Sequence, residues 1–435
     1  MKIFERLMPL VLIVADIGIV ALSIFLAYET REWLIEPNDI PLSKYLHFYP
    51  LYIVPVALFA YEGLYRYRYD FWQETRLVLQ ALLMAAIIVF AYLGLTRSVE
   101  HYSRFVILFS FFYMALLIPL QKRLVKWLFY HIGWWKKEAK LYGSDPFLKR
   151  TIFDNYYLGY VEADNGGDTV FVNAREIERV DEILKEEIRK HHELLFIPIL
   201  KDFDLSQSKI LEFFNIRTNL VLLKNRLASR ANLLLKETVD KSLALVLFML
   251  ALPLMGAIAL VIFLGDPGSP VLYRQRRLGK GGASFEVLKF RTMKKDGEKL
   301  LREYLRSNPQ KALEWQRYKK LKGYDPRVTK VGKFLRMYSL DELPQLFNVL
   351  KGEMSLVGPR PYIPDELERL QEHKEIILSV KPGITGLWQV LGRNDLSFDE
   401  RIEIDRWYVY NWSLWNDIVI LLKTFRAVVD RHKAH

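Results

Sequence analysis

Residues 242–264 read SLALVLFMLALPLMGAIALVIFL, an uncharged run bounded by Lys241 and Asp266. As a helix rising 1.5 Å per residue, this run would reach about 34 Å, which is long enough to cross a bilayer. Pro253 lies at its midpoint, where a proline removes a backbone donor and breaks or kinks a helix. We therefore predict a re-entrant membrane hairpin over 240–265 that bends at Pro253 and returns to its starting face; a kinked fifth span is the alternative.

The charge that follows this run favours the hairpin over the span. Residues 270–336 contain 20 Lys or Arg and six Asp or Glu. A full crossing would place this basic block outside the cell, against the cytoplasmic bias of positive charge. On the cytoplasmic face the block would meet lipid headgroups and phosphorylated substrates. Nucleic acid is not an expected partner of a chain so closely tied to a membrane.

The N-terminal part is predicted to be a membrane α-helical bundle over 1–125. Its four predicted spans are Leu7–Ala27, Tyr45–Tyr61, Leu77–Leu95 and Phe105–Gln121. The segments on one side of these spans carry eleven Lys or Arg, whereas those on the other side carry four. The positive-inside rule therefore places the N-terminus and everything after Gln121 in the cytoplasm. Asp16 falls inside the first span, where a carboxylate serves either function or helix packing.

Composition excludes several classes of chemistry. The 435 residues carry a net charge of +12 and include no cysteine. Disulfides, thiolate nucleophiles, iron–sulfur clusters and cysteine-based zinc sites are therefore excluded. The apolar fraction of 51% is typical of folded rather than disordered chains.

Residues 138–235 alternate short apolar runs with a charged helical pattern, which predicts a small α/β domain with a parallel sheet. The predicted strands are at Thr169–Val172, Leu194–Ile199 and Leu220–Leu223, after a first strand that ends at Tyr142. A dinucleotide site would need G-x-G-x-x-G after the first strand, but only Gly143 is present there. The domain is therefore predicted to be Rossmann-like but degenerate, with a structural or regulatory role.

Chemistry is concentrated in residues 266–435, predicted to be an α+β catalytic domain on the cytoplasmic face. Its first two strands, 271–275 and 284–290, are predicted to pair and to present Lys289 and Arg291 at the end of the second. Asp341 and Glu342 follow Ser339, in a pattern that predicts a helix N-terminus starting at Ser339 or nearer Asp341. Adjacent carboxylates at such an end suit Mg²⁺, which binds oxygen ligands shared between protein and substrate phosphates.

Arg360 stands between two prolines in Val357-Gly358-Pro359-Arg360-Pro361. Because prolines restrict the backbone, this arginine loses less entropy when it holds a phosphate through bidentate hydrogen bonds. Taken alone, an arginine in a proline turn is more often structural. The turn gains weight only beside the other motifs of this domain.

Taken together, these motifs resemble the bacterial sugar transferase family of polyprenyl-phosphate phosphoglycosyl transferases. The matching segments are KFRTM (289–293), SLDELPQ (339–345), GPRP (358–361) and KPGITGLWQV (381–390). They occur in family order and, with the hairpin, cover residues 240 to about 430. The four spans and the α/β domain look like the long form of the family, which starts exopolysaccharide, capsule or O-antigen synthesis.

The resemblance implies transfer of a sugar-1-phosphate from a UDP-sugar to undecaprenyl phosphate, with release of UMP, at a bacterial inner membrane. It implies that Asp341 is the nucleophile, through an aspartyl-phosphosugar intermediate, and that Glu342 binds Mg²⁺ with it. Glucose or galactose is the implied sugar, and a homodimer is an expected assembly. The residues that would bind substrate phosphate are Arg336, Arg360, Lys289, Arg291, Lys381 and Arg393.

Two other functions compete with this hypothesis. A catalytically silent membrane scaffold for polysaccharide assembly would not need Asp341, Glu342 and Arg360 together. A transporter would account for the spans and for Asp16 but not for the basic block or the motif series. Release of UMP separates the enzyme from both.

Overall fold

The fold is described by a computed structural model over residues 2–35, 40–96, 101–163, 169–177, 180–190, 193–198, 205, 208–213, 218–222, 226–266, 268–318, 321, 324–392 and 396–429. The chain divides into two compact units, Met1–Leu200 and Lys201–His435. No cis peptide bond occurs among the described residues.

The first unit begins with helices that confirm the apolar character predicted for this part. These helices are α1 (Lys2–Leu34), α2 (Leu42–Leu46), α3 (Pro50–Tyr61), α4 (Phe71–Leu95) and α5 (Arg104–His131). Within them, Leu7–Leu34, Phe71–Leu95 and Arg104–His131 are long and apolar enough to cross a membrane. The predicted second span differs, because α3 has 12 residues. Such a helix reaches only about 18 Å, short of a hydrocarbon core of about 30 Å.

Asp16 has a basic partner that the sequence did not reveal. The Lys122 ammonium lies 3.1 Å from an Asp16 carboxylate oxygen, and both side chains are fully buried. The Tyr65 hydroxyl donates to the same carboxylate at 2.8 Å. Lys122 and Lys126 both contact Glu74, so the four charges balance inside the bundle. This arrangement favours the helix-packing role for Asp16, since a buried charge needs a partner.

A four-stranded parallel sheet completes the first unit and confirms the predicted α/β domain. Its elements are β1 (Lys137–Tyr142), α6 (Pro146–Phe153), β2 (Tyr160–Glu162), β3 (Thr169–Asn173), α7 (Val180–Lys190) and β4 (Glu193–Ile197). The strand order is β2-β1-β3-β4, and every pair is parallel. The predicted strand at 220–223 lies outside this sheet. It belongs to an antiparallel hairpin of β5 (Lys209–Phe213) and β6 (Thr218–Leu222) in the second unit.

The second unit contains one long helix, a long antiparallel hairpin and many short elements. These are α8 (Arg230–Gly265), β7 (Leu272–Leu278), β8 (Ser284–Phe290), α9 (Gly297–Ser307), α10 (Pro309–Tyr318), α11 (Lys330–Met337), α12 (Gln345–Lys351), β9 (Ser355–Val357), α13 (Lys374–Leu378), β10 (Gly383–Thr385), α14 (Leu387–Leu391), α15 (Phe398–Tyr410) and α16 (Leu414–Val429). Strands β7 and β8 pair antiparallel over seven residues, as predicted. Strands β9 and β10 form a short parallel pair.

Helix α8 is continuous over 36 residues and contains Pro253. The predicted break at Pro253 is therefore not seen as an interruption of the helix. One proline forfeits a single backbone hydrogen bond, and its side chain lies on the exposed surface of α8, away from the packed stripe. Helix α8 is also apolar enough to cross a membrane, yet only 11% of its most apolar 18-residue segment is buried.

Both ends of α8 pack on the same unit. Its first half contributes Leu233, Ala244 and Phe248 to a core shared with α12, β9 and α15. Its second half places Ile258 and Ile262 against residues of β8 and α11. The buried and half-buried residues together recur every three or four positions along one stripe, which is the pattern of a helix lying along a surface.

A buried polar network fixes the first half of α8. The Lys236 ammonium donates to an Asp417 carboxylate oxygen at 2.7 Å and to the Val357 carbonyl at 3.1 Å. Tyr408 and Trp412 donate to the same carboxylate at 2.7 and 2.9 Å. These four hydrogen bonds offset the desolvation penalty of burying the Lys236–Asp417 charge pair.

Candidate active site

The β7–β8 hairpin brings a lysine to the predicted acidic pair. Lys289 lies next to the end of β8, and its ammonium donates to the Glu342 carboxylate at 2.7 Å. Both side chains retain about a quarter of their exposure, 27% and 28%. This pair is therefore accessible to a ligand while still held in a fixed place.

The acidic pair sits in a single 3-10 turn, Leu340–Glu342, and α12 begins only at Gln345. Both predicted helix starts, Ser339 and Asp341, are therefore too early. Ser339 has φ +53°, a left-handed conformation that a non-glycine residue adopts at a cost, and it forms no capping hydrogen bond. Strained backbone of this kind is concentrated at functional sites.

The electrostatic setting of Asp341 is unusual for an aspartate. Burial raises the pKa of its carboxyl, and the negative charge of Glu342 raises it further. The charges of Lys289 and Arg336 oppose both effects and lower the pKa. Asp341 is thus a desolvated carboxylate kept available for ionisation by two cations.

Arg336 is held beside this pair by a close packing of backbones. Its Nε donates to the Thr292 hydroxyl at 2.9 Å. A Cβ on Gly332 would stand 2.1 Å from the Thr292 carbonyl oxygen, so only glycine lets α11 approach this loop. Arg291 donates its Nε to the Met293 carbonyl at 3.0 Å, which keeps its guanidinium at the same end of the hairpin.

A buried carboxylate holds the loop that carries Arg360 through hydrogen bonds. The Arg360 backbone N–H and the Tyr362 hydroxyl both donate to Asp405 Oδ2, at 3.0 and 2.8 Å. The other Asp405 carboxylate oxygen has no hydrogen-bond partner among the described residues. Burial raises the pKa of Asp405 to about 7, although these two hydrogen bonds act to lower it.

Arg360 is one of three guanidiniums that form an arginine cluster with Arg277 and Arg401. Burial lowers the pKa of Arg277 and of Arg401, and the positive charge of Arg360 lowers both further. The Arg360 and Arg401 guanidiniums lie over the Trp388 ring, at 5.8 and 5.4 Å from its centre. Glu342 raises the pKa of Arg277, which places this cluster within electrostatic range of the acidic pair.

Two of these arginines were not among the predicted site residues. Arg277 was counted only as part of the basic block, although its Nη1 donates to the Pro361 carbonyl at 2.9 Å. Arg401 stands four residues before Asp405 on α15, and that i,i+4 spacing was the signal that could have identified it. Neither position reveals in sequence that β7 and α15 bring these arginines close to Arg360.

The structure brings most predicted residues together, but not all. Asp341, Glu342, Lys289 and Arg336 form one centre, with Arg291 at its edge and Arg360 in the arginine cluster. Lys381 lies elsewhere, because its ammonium pairs with Glu237 on α8 at 3.1 Å, beside Gly352 at the other end of α12. Arg393 lies outside the described residues.

The donor atoms of the acidic pair fit a magnesium ion. Asp341 and Glu342 offer only carboxylate oxygens, the ligand type that Mg²⁺ prefers together with substrate phosphates. Burial and the negative charge of Glu342 both raise the pKa of Asp341, and a bound cation would counter both effects. Within the described residues no group of three or more His, Asp or Glu is placed to hold a metal. A metal here would therefore be shared with substrate.

The centre as a whole suits phosphoryl chemistry. It combines a desolvated carboxylate, an adjacent carboxylate paired with lysine, and three guanidiniums that can share charge with phosphate oxygens. The C-terminal half of α8, with its exposed apolar surface, packs against the Leu340–Leu343 segment of the same centre. The arrangement therefore suits a phosphorylated substrate and a lipid partner at one place.

The chain is similar to several known proteins. A family profile described as bacterial sugar transferase matches residues 231–431. The undecaprenyl-phosphate galactose phosphotransferase of Salmonella typhimurium is 35% identical over 405 residues, covering 85% of this chain and 84% of that protein. The UDP-galactose-lipid carrier transferase of Erwinia amylovora is 34% identical over 409 residues, with 85% and 84% covered. The exopolysaccharide production protein ExoY of Rhizobium meliloti is 49% identical over 193 residues, which cover 44% of this chain and 84% of that protein.

Proposed function

The chain belongs to the bacterial sugar transferase family, and from that premise we propose that it transfers a hexose-1-phosphate from a UDP-hexose to undecaprenyl phosphate, releasing UMP. The observation that carries the proposal is the acidic pair Asp341–Glu342, which lies beside Lys289 and Arg336 and within electrostatic range of Arg277 in the arginine cluster. The product would be the first lipid-linked intermediate of an exopolysaccharide, capsule or O-antigen.

Asp341 is proposed as the nucleophile. One of its carboxylate oxygens attacks the sugar-linked phosphorus, a bond forms between them, and the bond from that phosphorus to the bridging oxygen breaks, so that UMP leaves. A phosphate oxygen of undecaprenyl phosphate then attacks the same phosphorus and displaces the Asp341 carboxylate. The reaction thus proceeds as two transfers in place of one, and the same cations serve both.

Cations of the protein would share the charge of the phosphates through both transfers. Lys289 and Arg336 lie beside the attacking carboxylate, whereas Arg277, Arg360 and Arg401 would hold the phosphates through planar, bidentate hydrogen bonds. A bound Mg²⁺, held by Asp341 and Glu342, would neutralise the pyrophosphate. Glu342 keeps Lys289 in position and stays available as an oxygen ligand.

The membrane arrangement that we propose keeps both ends of α8 on the cytoplasmic face of the inner membrane. Support comes from the packing of its two halves against one folded unit, because a helix that crossed the bilayer would carry its end away from that unit. The exposed apolar surface of α8 would lie in the lipid, and Pro253 would allow the helix to follow the membrane surface. The acceptor phosphate would then reach Asp341 from the same leaflet.

Release of UMP tests the function. Purified full-length protein is incubated with undecaprenyl phosphate, Mg²⁺ and, one at a time, UDP-galactose, UDP-glucose and other UDP-sugars. We expect UMP release with one hexose donor, first UDP-galactose because two of the relatives are named for galactose transfer. Asp341→Asn should abolish release. Absence of UMP with every donor would instead support a silent scaffold.

A further inference from the structure

A cavity separate from the acidic pair lies where the first half of α8 meets the end of α12. It has a volume of about 160 Å³, and its apolar floor includes Leu227, Leu233, Val349, Met354 and Val380. Asp341 and Glu342 precede the start of α12, whereas this cavity adjoins its end, one helix length of about 10 Å further on. The β7–β8 hairpin gives the same separation, because its turn reaches the cavity while Lys289 is at the opposite end.

Four lysines and two carboxylates, Glu237 and Asp240, line the cavity. Glu237 lies 2.9 Å from the Lys241 ammonium and 3.1 Å from that of Lys381. Lys280, in the hairpin turn, has no carboxylate within 4 Å among the described residues. The fourth lysine, Lys236, lies 2.7 Å from Asp417 and 3.5 Å from Asp240. The lining residues therefore carry an excess of two positive charges, which the adjacent Asp417 reduces to one.

The cavity lies at the expected boundary between water and lipid. Lys241 is the last charged residue before the uncharged run of α8. Next to the cavity, the apolar side chains of Leu234 and Leu245 are 66% and 52% exposed. Positive charge followed immediately by exposed apolar surface is the pattern that recognises an anionic headgroup with attached acyl chains.

We propose that this cavity binds an anionic membrane phospholipid. Its phosphate lies among Lys241, Lys280 and Lys381 and displaces Glu237 as their counter-ion, and its acyl chains follow the exposed leucines of α8. The apolar floor distinguishes this ligand from free phosphate. The separation from Asp341 distinguishes it from the acceptor, whose phosphate must reach the acidic pair. Such a lipid would anchor the first half of α8, independently of the transfer reaction.

Lipid binding to purified full-length protein tests the proposal. The protein, in a neutral detergent, is titrated with phosphatidylglycerol or with phosphatidylcholine of the same chains, and bound lipid is counted by native mass spectrometry. We expect tighter binding of phosphatidylglycerol. Lys280→Gln and Lys381→Gln should each weaken it about fivefold, the effect of one lysine near an anionic headgroup. Lys299→Gln removes the same charge from α9, outside the cavity, and should leave binding unchanged.

Glu237→Gln gives a readout that misfolding cannot imitate, since removal of the counter-ion should strengthen phosphatidylglycerol binding. Equal binding of both lipids, or an equal loss in Lys299→Gln, would reduce the effect to general surface charge and overturn the proposal. Displacement by millimolar inorganic phosphate would make the cavity a free-phosphate site. Displacement by an equal amount of undecaprenyl phosphate would make it an acceptor site. Each of these results also overturns the proposal.

Discussion

The Lys289 ammonium has two effects in the candidate active site, because it pairs with Glu342 and its charge lowers the pKa of Asp341. A nucleophilic Asp341 must be ionised, so activity is lost as the pH falls through its pKa. Lys289→Gln removes one of the two cations that oppose burial. The acidic limb of kcat/KM should therefore move to higher pH, with part of the lost rate recovered in alkaline buffer.

Arg291→Gln is the matched control for this measurement. It removes a positive charge from the same end of the hairpin, but Arg291 is not among the charges that shift the pKa of Asp341. Whatever its effect on the rate, this substitution should leave the acidic limb in place. An unmoved limb in Lys289→Gln would show that this lysine does not control the ionisation of Asp341.

Asp405 makes stability depend on pH in a direction opposite to that of most carboxyl groups. Its folded-state pKa of about 7 lies above the ordinary value of 3.8, so between these pH values the folded protein holds a proton that the unfolded chain has released. Stability therefore falls as the pH rises through this window. We expect the thermal midpoint to decrease from pH 5 to pH 8, and Asp405→Asn to flatten that decrease.

Asp399→Asn removes an exposed carboxyl from the same helix and should keep the wild-type slope. A wild-type slope in Asp405→Asn would mean that Asp405 does not titrate between pH 5 and 8. Asn also retains an oxygen that can accept from the Arg360 backbone and from Tyr362. The loop that carries Arg360 should therefore stay in position in this variant.

At the scale of elements, α8 makes the most definite topological prediction. The chain has no cysteine, so single cysteines can be introduced without a background. Ser229→Cys and Gly265→Cys mark the two ends of α8, and Thr96→Cys marks the loop after α4, which the charge distribution places outside. We expect a membrane-impermeant thiol reagent added to intact cells to label only Thr96→Cys. Labelling of Gly265→Cys would show that α8 crosses the membrane.

The sequence predicted some elements well for reasons that are local. Strands β7 and β8 were predicted because two runs typical of strands flank a glycine-rich turn, and this pattern depends on no distant contact. The shortness of α3 was missed, because apolar composition does not reveal where packing ends a helix. The late start of α12 was missed for the same reason, since the 3-10 turn Leu340–Glu342 that precedes it packs against β8 and α11.

Site residues show the same limit. Lys289, Arg336, Asp341 and Glu342 could be grouped from motifs, and the structure brings them together. Lys381 belongs to a motif that follows theirs along the chain. Sequence order does not show that the fold places its side chain near the far end of α12, away from the acidic pair. Arg277 and Arg401 join the site through folding of β7 and α15 around Arg360, which no local pattern records.

At the scale of the whole molecule, the second unit should carry the chemistry. The alignment with ExoY of Rhizobium meliloti spans 193 residues and covers 84% of that protein. The matching portion can therefore make up most of a separate protein. Residues 201–435 form one compact unit. We expect this fragment, expressed in membranes, to release UMP within about tenfold of the full-length rate, a barrier change of about 1.4 kcal/mol. A folded but inactive fragment would assign a catalytic role to the first unit.

The central claim is that Asp341 accepts the sugar phosphate before the lipid does. The most direct measurement is mass spectrometry of full-length protein incubated with its UDP-sugar and Mg²⁺ but without undecaprenyl phosphate. We predict release of UMP in an amount equal to the enzyme, together with a hexose-phosphate adduct on the peptide that contains Asp341. Both should be absent from Asp341→Asn. UMP release only in the presence of the lipid, with no adduct on that peptide, would contradict the account and favour direct attack by the lipid phosphate.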